Sequence, residues 1–432
     1  MLKEKKPIFA LATSRGKSAI AVFRVSGKGV HKIVKKISSR KHWVFNEIKT
    51  NYLLDEEKQK IDKTITTLLK SPKTYTGEDM VEIFCHGSSA VINKVSNTLL
   101  TNNVRQAEPG EFTKRALINN KIDITQAESI SDIVNSETEK QRITAMKNLD
   151  GELSDFLKSL NKNIKKMLAD VEALIDFSDE DLPKNLTTKI IEQKKNIIKT
   201  IKKSISKSKL SKSIRDGFLI CVLGSPNTGK SSFVNYISGR NVSIVTEIPG
   251  TTTDSLEVAL EIDGYKFRFV DTAGIRKGVG KIEKIGIEKT YKNSLISDLN
   301  LVFLEKNEKR KYDKITNKIF VRSKQDRRRN LNDTKIHKIS SKTGFGIKKL
   351  IKTIKKEVIK TDNEKIPLFS RERHLNKINN CLKIIETINI NKNPDIVAED
   401  LRLALKEVTE IYERFDIEKI LDIIFSDFCI GK

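Results

Sequence analysis

No apolar run in the 432 residues approaches the roughly 20 residues needed to cross a bilayer, so no membrane span is expected. Cysteine is scarce. Cys85, Cys221, Cys381 and Cys429 are scattered without metal-ligand spacing, which argues against a disulfide framework and against a zinc cluster. The stretch from Met1 to Ser14 lacks the long apolar core and small-residue cleavage site of a secretory signal. Internal repeats and low-complexity tracts are missing as well. These absences lead to the expectation of a cytoplasmic chain, long enough for two or three domains with buried cores. With 38% hydrophobic and 32% charged residues, the composition is that of an ordinary folded protein.

Acidic residues are short relative to basic ones: 82 Lys and Arg face 56 Asp and Glu, a net charge of +26. Two readings stand side by side. One is a nucleic-acid footprint. The other is the drift toward lysine, isoleucine and asparagine that an A/T-rich genome imposes. The lysines are spread along the chain, and a basic balance by itself identifies no partner.

Three textures follow one another. Up to about residue 120, short β-like runs such as Ala19 to Phe23 and Met80 to Phe84 alternate with turn signals at Ser71-Pro72, Thr76-Gly77 and Pro109-Gly110. From about 123 to 215, Ile190, Ile191, Ile197, Ile198, Ile201 and Ile205 recur at helical spacing among lysines. Pro183, after Asp179-Glu180-Asp181, separates two helices there. From Asp216 to about 360, β-branched runs alternate with helical segments, the pattern of a parallel sheet wrapped by helices. Beyond Pro367 helix returns, with Leu401, Leu405, Val408, Tyr412 and Phe415 on one face and Ile420, Leu421 and Ile424 following. The class is therefore α/β and α multidomain, an α/β unit inserted between helical flanks.

The chemistry lies in the inserted unit. The run Phe218 to Leu223 leads into Gly224-Ser225-Pro226-Asn227-Thr228-Gly229-Lys230-Ser231, a GxxxxGK[ST] loop in the strand–loop–helix context it requires. Glycines let backbone N–H groups wrap phosphates, Lys230 sets a point charge on the β and γ groups, and Ser231 offers a hydroxyl to magnesium. Phosphate contacts are assigned to Asn227, Thr228, Gly229, Lys230, Ser231 and Ser232. Tyr265 to Val270 reads as a strand ending in Asp271-Thr272-Ala273-Gly274, where Asp271 holds magnesium through water and the Gly274 N–H senses the γ-phosphate. Gly250-Thr251-Thr252-Thr253-Asp254 is placed to give the metal a threonine hydroxyl. For the base, Ser323-Lys324-Gln325-Asp326 resembles the NKxD guanine box and Ser340-Ser341-Lys342 its companion SAK box. Asp326 accepts from the guanine N1 and N2 protons. GTP, not ATP, is the expected nucleotide. Ser323 replaces the usual asparagine, so weaker affinity is expected more than lost specificity. The stretch between Leu304 and Ile319 is shortened and lysine-rich.

Catalysis leaves a gap. Ile275 stands where Ras-like enzymes carry a water-orienting glutamine. The nearest downstream carboxylate, Glu283, is either the replacement or a solvated loop acid; spacing favours the latter.

Taken as a whole, the chain resembles the MnmE (TrmE) family of tRNA-modification GTPases, from about Pro7 to Lys432. The resemblance rests on Tyr75-Thr76-Gly77-Glu78-Asp79, Cys85-His86-Gly87, Pro109-Gly110-Glu111-Phe112-Thr113, Lys121 to Glu128, the nucleotide boxes and Phe428-Cys429-Ile430-Gly431-Lys432. It implies an α+β folate-binding and dimerisation domain over 1–122, a helical domain over 123–215 and 362–432, and a Ras-like G domain over 216–361. It implies a homodimer that joins a flavoprotein (MnmG, also GidA) in a heterotetramer and installs a carboxymethylaminomethyl-type group on the wobble uridine of certain tRNAs. The one-carbon unit would come from a tetrahydrofolate (the 5-formyl or 5,10-methylene derivative). Arg24, Glu82, Lys121 and Lys432 match the folate positions; Arg and Lys suit a glutamate tail, and a carboxylate suits pterin N–H groups. Potassium would serve in place of an arginine finger, on ligands matching Asn227, Thr246, Ile248 and Thr251. Thr252 and Ser231 match the magnesium ligands, and Glu283 matches the residue that orients the attacking water, reversing the reading from spacing. Thr253 stands where many relatives carry arginine. Cys429 matches the family's candidate nucleophile; the plainer alternative is a buried apolar residue beside the folate. Competing classes are an RNA-binding ribosome-assembly GTPase, which would not need the N-terminal domain or the Cys-Ile-Gly-Lys end, and a folate-dependent transferase with a regulatory GTPase.

Overall fold

The computed structural model describes residues 6–176, 185–208, 210–240, 256–271, 294–305, 308–326, 336–359, 367–413 and 431. Two units emerge, each built on its own sheet.

The first unit comprises Met1–Ser131, Asn148–Lys166 and Leu401–Lys432. Strands β1 (Ile8–Leu11), β2 (Ser18–Ser26), β3 (Ile48–Leu54), β4 (Lys60–Leu69), β5 (Met80–Gly87) and β6 (Arg105–Gln106) form a sheet in the order β3-β4-β5-β2-β1-β6. Its pairings are antiparallel except β1 with β6. The two-residue period of a strand sends Ala21, Phe23 and Val25 to one face, with Ile83, Cys85 and Leu68 beside them. Helices α1 (Val30–Lys36) and α2 (Ser89–Thr101) contribute Val30, Val34, Ile92, Val95 and Leu99 to the same core. The Ser88 hydroxyl accepts the Val91 N–H and so caps α2. A second cluster joins Ile8, Ala10, Met80 and Ala107 to Phe112 of α3 (Glu111–Ile118).

The stretch expected to be helical is so: α4 (Ile124–Val134), α5 (Glu139–Leu149), α6 (Glu152–Asp176), α7 (Leu186–Lys207) and α8 (Ser211–Asp216). Among the described residues no helix is long and apolar enough to cross a membrane.

The second unit, Asp132–Lys147 and Met167–Asp400, holds β7 (Phe218–Gly224), α9 (Lys230–Arg240), β8 (Leu256–Ile262), β9 (Tyr265–Asp271), β10 (Leu299–Phe303), β11 (Lys318–Arg322) and β12 (His337–Lys338). Strand order is β12-β11-β10-β7-β9-β8. All pairs are parallel but β8 with β9, a hairpin turned at Asp263-Gly264. The expected parallel sheet therefore carries one antiparallel edge strand, because a two-residue turn cannot make a parallel crossover. On one face Ile220, Val222, Phe267, Phe269, Leu301 and Phe303 pack with Phe233 of α9 and with Leu350 and Ile354 of the helix Ile347–Val358. On the other, Cys221, Leu223 and Val302 are covered by Tyr312 and Ile315 from the shortened, lysine-rich segment.

Candidate functional site

Strand β7 is nearly continuous in apolar side chains because both of its faces are covered. Where it ends, the chain turns over the sheet edge through Gly224 (φ 142°), whose Cβ, were there one, would lie 2.3 Å from the Phe303 carbonyl oxygen. Asn227 follows at φ 60° and Gly229 at φ 93°, the left-handed conformations that curl a loop around phosphate. Lys230 opens α9 and is only 4% exposed. Its Nζ donates to the carbonyls of Gly224 and Ser225, both at 2.8 Å. The Ser231 hydroxyl donates to Oδ2 of the buried Asp271 at 2.8 Å. A hydroxyl and a carboxylate in contact are the hard oxygen donors magnesium takes, so the donor set fits that ion.

The loops expected to read the base meet this P-loop. Ser323, 6% exposed, donates its hydroxyl to the Thr228 carbonyl. Lys324 Nζ donates to the Asn227 carbonyl at 2.6 Å. Ser340 Oγ donates to Asp326 Oδ1 at 2.8 Å, and the Gln325 N–H donates to Ile339 O at 3.2 Å, tying the two base loops together. Ser341 and Lys342 follow in the turn that leads to the helix Ile347–Val358. Thr228, Gly229, Lys230, Ser231, Asp271, Ser323, Lys324, Asp326 and Ser340 thus converge from β7, β9, β11 and the chain after β12.

The folate candidates lie in the first unit. Arg24 of β2 stands opposite Glu82 of β5 in the sheet register, and Arg24 Nε donates to Glu82 Oε1 at 2.9 Å. The guanidinium sits 5.7 Å from the Tyr75 ring centroid, and the Tyr75 hydroxyl pairs with Thr113 Oγ1 at 2.7 Å. Lys121 meets the same loop: its Nζ donates to Pro72 O at 3.0 Å, and its side chain lies against Gly77 (φ 75°). Gly431 packs on the end of β1, with Leu11 O 2.8 Å from the place of a Cβ. A partly exposed cation, carboxylate and ring on one sheet face suit a pterin with an anionic tail.

Thr246, Ile248, Thr251, Thr252, Thr272, Ala273, Gly274, Glu283, Cys429 and Lys432 lie outside the described residues. Of the potassium set only Asn227 is described; its side-chain amide oxygen is a donor of the right kind. Burial pushes the Cys85 thiol up to about 11 and the Cys221 thiol up to about 12, so neither is a thiolate nucleophile at neutral pH. Two neighbours escape a reading of sequence alone. Glu308, in the shortened segment, accepts from Ser225 Oγ at 3.3 Å. Tyr75 lies under Arg24, 51 positions away in the chain; both contacts join a loop to a distant segment, which the tertiary fold alone brings together.

This fold and this convergence define a P-loop protein of the guanine-nucleotide-binding class. Residues 7–121 match the family described as GTP-binding protein TrmE N-terminus, and residues 124–429 the MnmE helical domain. The tRNA modification GTPase MnmE of Aquifex aeolicus is 36% identical over 451 residues, covering 99% of this chain and 100% of that protein. The protein of that name from Pelagibacter ubique is 39% identical over 453 residues, covering 98% and 100%. Among solved structures, the G domain of the T. maritima FeoB iron transporter is 21% identical, with a TM-score of 0.27, over 32% of this chain and 98% of that one. The chain belongs to the MnmE family of tRNA modification GTPases.

Proposed function

We propose that this chain hydrolyses GTP in the service of tRNA modification, adding, with the flavoprotein MnmG, a carboxymethylaminomethyl-type group at C5 of the wobble uridine. The observation that carries the nucleotide half is the bonding of Ser323 and Lys324 to the Thr228 and Asn227 carbonyls, which joins base loop and phosphate loop into one site. Lys230 holds the β- and γ-phosphates, Asp326 selects guanine, and Ser341 and Lys342 flank the base. Ser232, Thr272, Ala273 and Gly274 complete the phosphate contacts. Ser231 and Thr252, with Asp271, would hold magnesium. Asn227, Thr246, Ile248 and Thr251 would hold potassium, which would supply positive charge toward the phosphates. Glu283 orients the attacking water. In the N-terminal domain Arg24, Glu82, Lys121 and Lys432 hold a tetrahydrofolate, with Cys429 beside it. The domain boundaries proposed are 1–122, 123–215, 216–361 and 362–432; the assembly is a homodimer within a heterotetramer, and the compartment is the cytoplasm.

The test is GTP hydrolysis by the full chain in potassium and in sodium, each with magnesium, over a range of protein concentration. Stimulation by potassium that steepens with concentration is expected, as is near loss of hydrolysis with retained GTP binding in Glu283→Ala. Equal rates in both salts would remove the potassium site and favour a ribosome-assembly GTPase. Normal turnover by the variant would remove Glu283 from the mechanism.

A further inference from the structure

Helix α7 carries seven lysines and a single glutamate in 22 residues. Lysine content does not set α7 apart, since the helix Ile347–Val358 carries five lysines and one glutamate in 12 residues, while Pro394–Tyr412 carries five carboxylates against two cations. What counts is where the lysines of α7 stand. The lysines of α7 fall into two sets. Those within reach of a partner are used: Lys189 pairs with Asp170 at 2.8 Å and Lys202 with Glu386 at 2.7 Å. Lys194 donates to the carbonyls of Glu386 and Ile388 at 3.1 and 2.5 Å. The second set is Lys195, Lys199, Lys203 and Lys207. All four are exposed, and among the described residues none of their ammonium groups makes an ion pair or hydrogen bond.

Their spacing is four residues throughout, so they form one row about 18 Å long on the outside of the helix, away from the buried Ile190, Ile197, Ile201 and Ser204. Like charges four apart disfavour a helix. Folding therefore gains nothing from this row, and Glu192 is the only carboxylate α7 places near it. A row of unpaired ammonium groups on a rigid element fits a polyanion with regularly spaced charge, and lysine suits phosphate as a compact point charge.

We propose that Lys195, Lys199, Lys203 and Lys207 form a contact surface for the sugar–phosphate backbone of tRNA. The assignment rests on the tRNA-modifying reading above. The surface supplies affinity and orientation without reading bases, so it serves every tRNA the protein modifies.

The experiment titrates fluorescein-labelled bulk bacterial tRNA with the full chain by anisotropy between 50 and 200 mM KCl (about the range over which backbone contacts weaken most visibly). The quadruple variant Lys195→Gln, Lys199→Gln, Lys203→Gln, Lys207→Gln is compared with the corresponding quadruple arginine variant. Four lost phosphate contacts reduce the slope of log affinity against log salt by about 3 to 4 and weaken binding about tenfold or more at 100 mM. The arginine variant keeps both values. GTP hydrolysis is unchanged in both variants, and the glutamine variant melts at the same or a higher temperature, since relieved repulsion cannot destabilise the helix; a lower melting temperature would mark the row as structural and overturn the proposal. Unchanged affinity and slope would also overturn it. So would unchanged tRNA binding with lost binding of poly-glutamate, which would reassign the row to an acidic protein. If the unmodified chain binds no tRNA even at 50 mM KCl, the tRNA-modifying reading falls together with the proposal.

Discussion

Ser323 stands where the guanine box usually has asparagine, and the sequence leads one to expect weaker affinity. In the structure its side chain bridges the base loop to the P-loop, through its hydroxyl and the Thr228 carbonyl. Gly229 makes room for the bridge: a Cβ there would sit 2.5 Å from Ser323 Oγ. Removing the hydroxyl leaves a buried carbonyl without its donor, which costs about 1–3 kcal/mol, a factor of roughly 5 to 150 in affinity where the nucleotide-bound site carries the whole of it. Ser323→Ala should therefore weaken binding of a fluorescent GDP by about tenfold, with guanine still preferred over adenine because Asp326 keeps its bond from Ser340. Wild-type affinity in this variant would show that the bridge contributes nothing to the site.

At the scale of elements, α9 matters because Lys230 and Ser231 are its first two residues; their placement is only as firm as the helix's seat on the sheet. That seat is Phe233, fully buried and touching Phe269 at 6.1 Å and Phe303 at 5.5 Å between ring centroids. Phe233→Ala should cost about 3–5 kcal/mol of stability and lower GDP affinity as well, read from thermal melts with and without nucleotide. A variant with normal melting but weak GDP binding would contradict this coupling. Elements whose signal is local were legible in the sequence: the apolar run of β7 entering the P-loop, the alternation in β9, the 3.6-residue period of α7. What depends on distant pairing was not. The Arg24–Glu82 pair across β2 and β5 and the covering of one sheet face by Tyr312 and Ile315 are set by register and packing; the antiparallel edge strand, by contrast, is a local hairpin signalled by its Asp263-Gly264 turn. The roles of Thr246, Ile248, Thr251 and Glu283 came from family resemblance, since spacing alone could not separate a catalytic carboxylate from a solvated one.

For the whole molecule, the two proposed ligand sites fall in different units. Arg24, Glu82 and Lys121 belong to the first, and the P-loop and base loops to the second. Each unit has its own apolar core, and a ligand that binds only the folded state stabilises the segments that hold it, by about 2.7 kcal/mol at a hundred times its Kd. Amide exchange resolves that effect by segment, because local opening is governed by local stability. Magnesium and GDP should slow exchange in 224–233, 323–326 and 339–345, where the loops already bond to one another, and leave 20–26 and 71–87 as they were. 5-Formyl-tetrahydrofolate should do the reverse, with protection centred on β2, β5 and the loop carrying Tyr75. Protection of the first set by folate, or of the second by GDP, would misplace the sites proposed here. Protection of neither set by folate, with the GDP response intact, would leave a guanine-nucleotide switch whose N-terminal sheet serves another purpose. The Arg24–Glu82 pair would then be read as a cross-strand ion pair of the sheet, which its register alone explains.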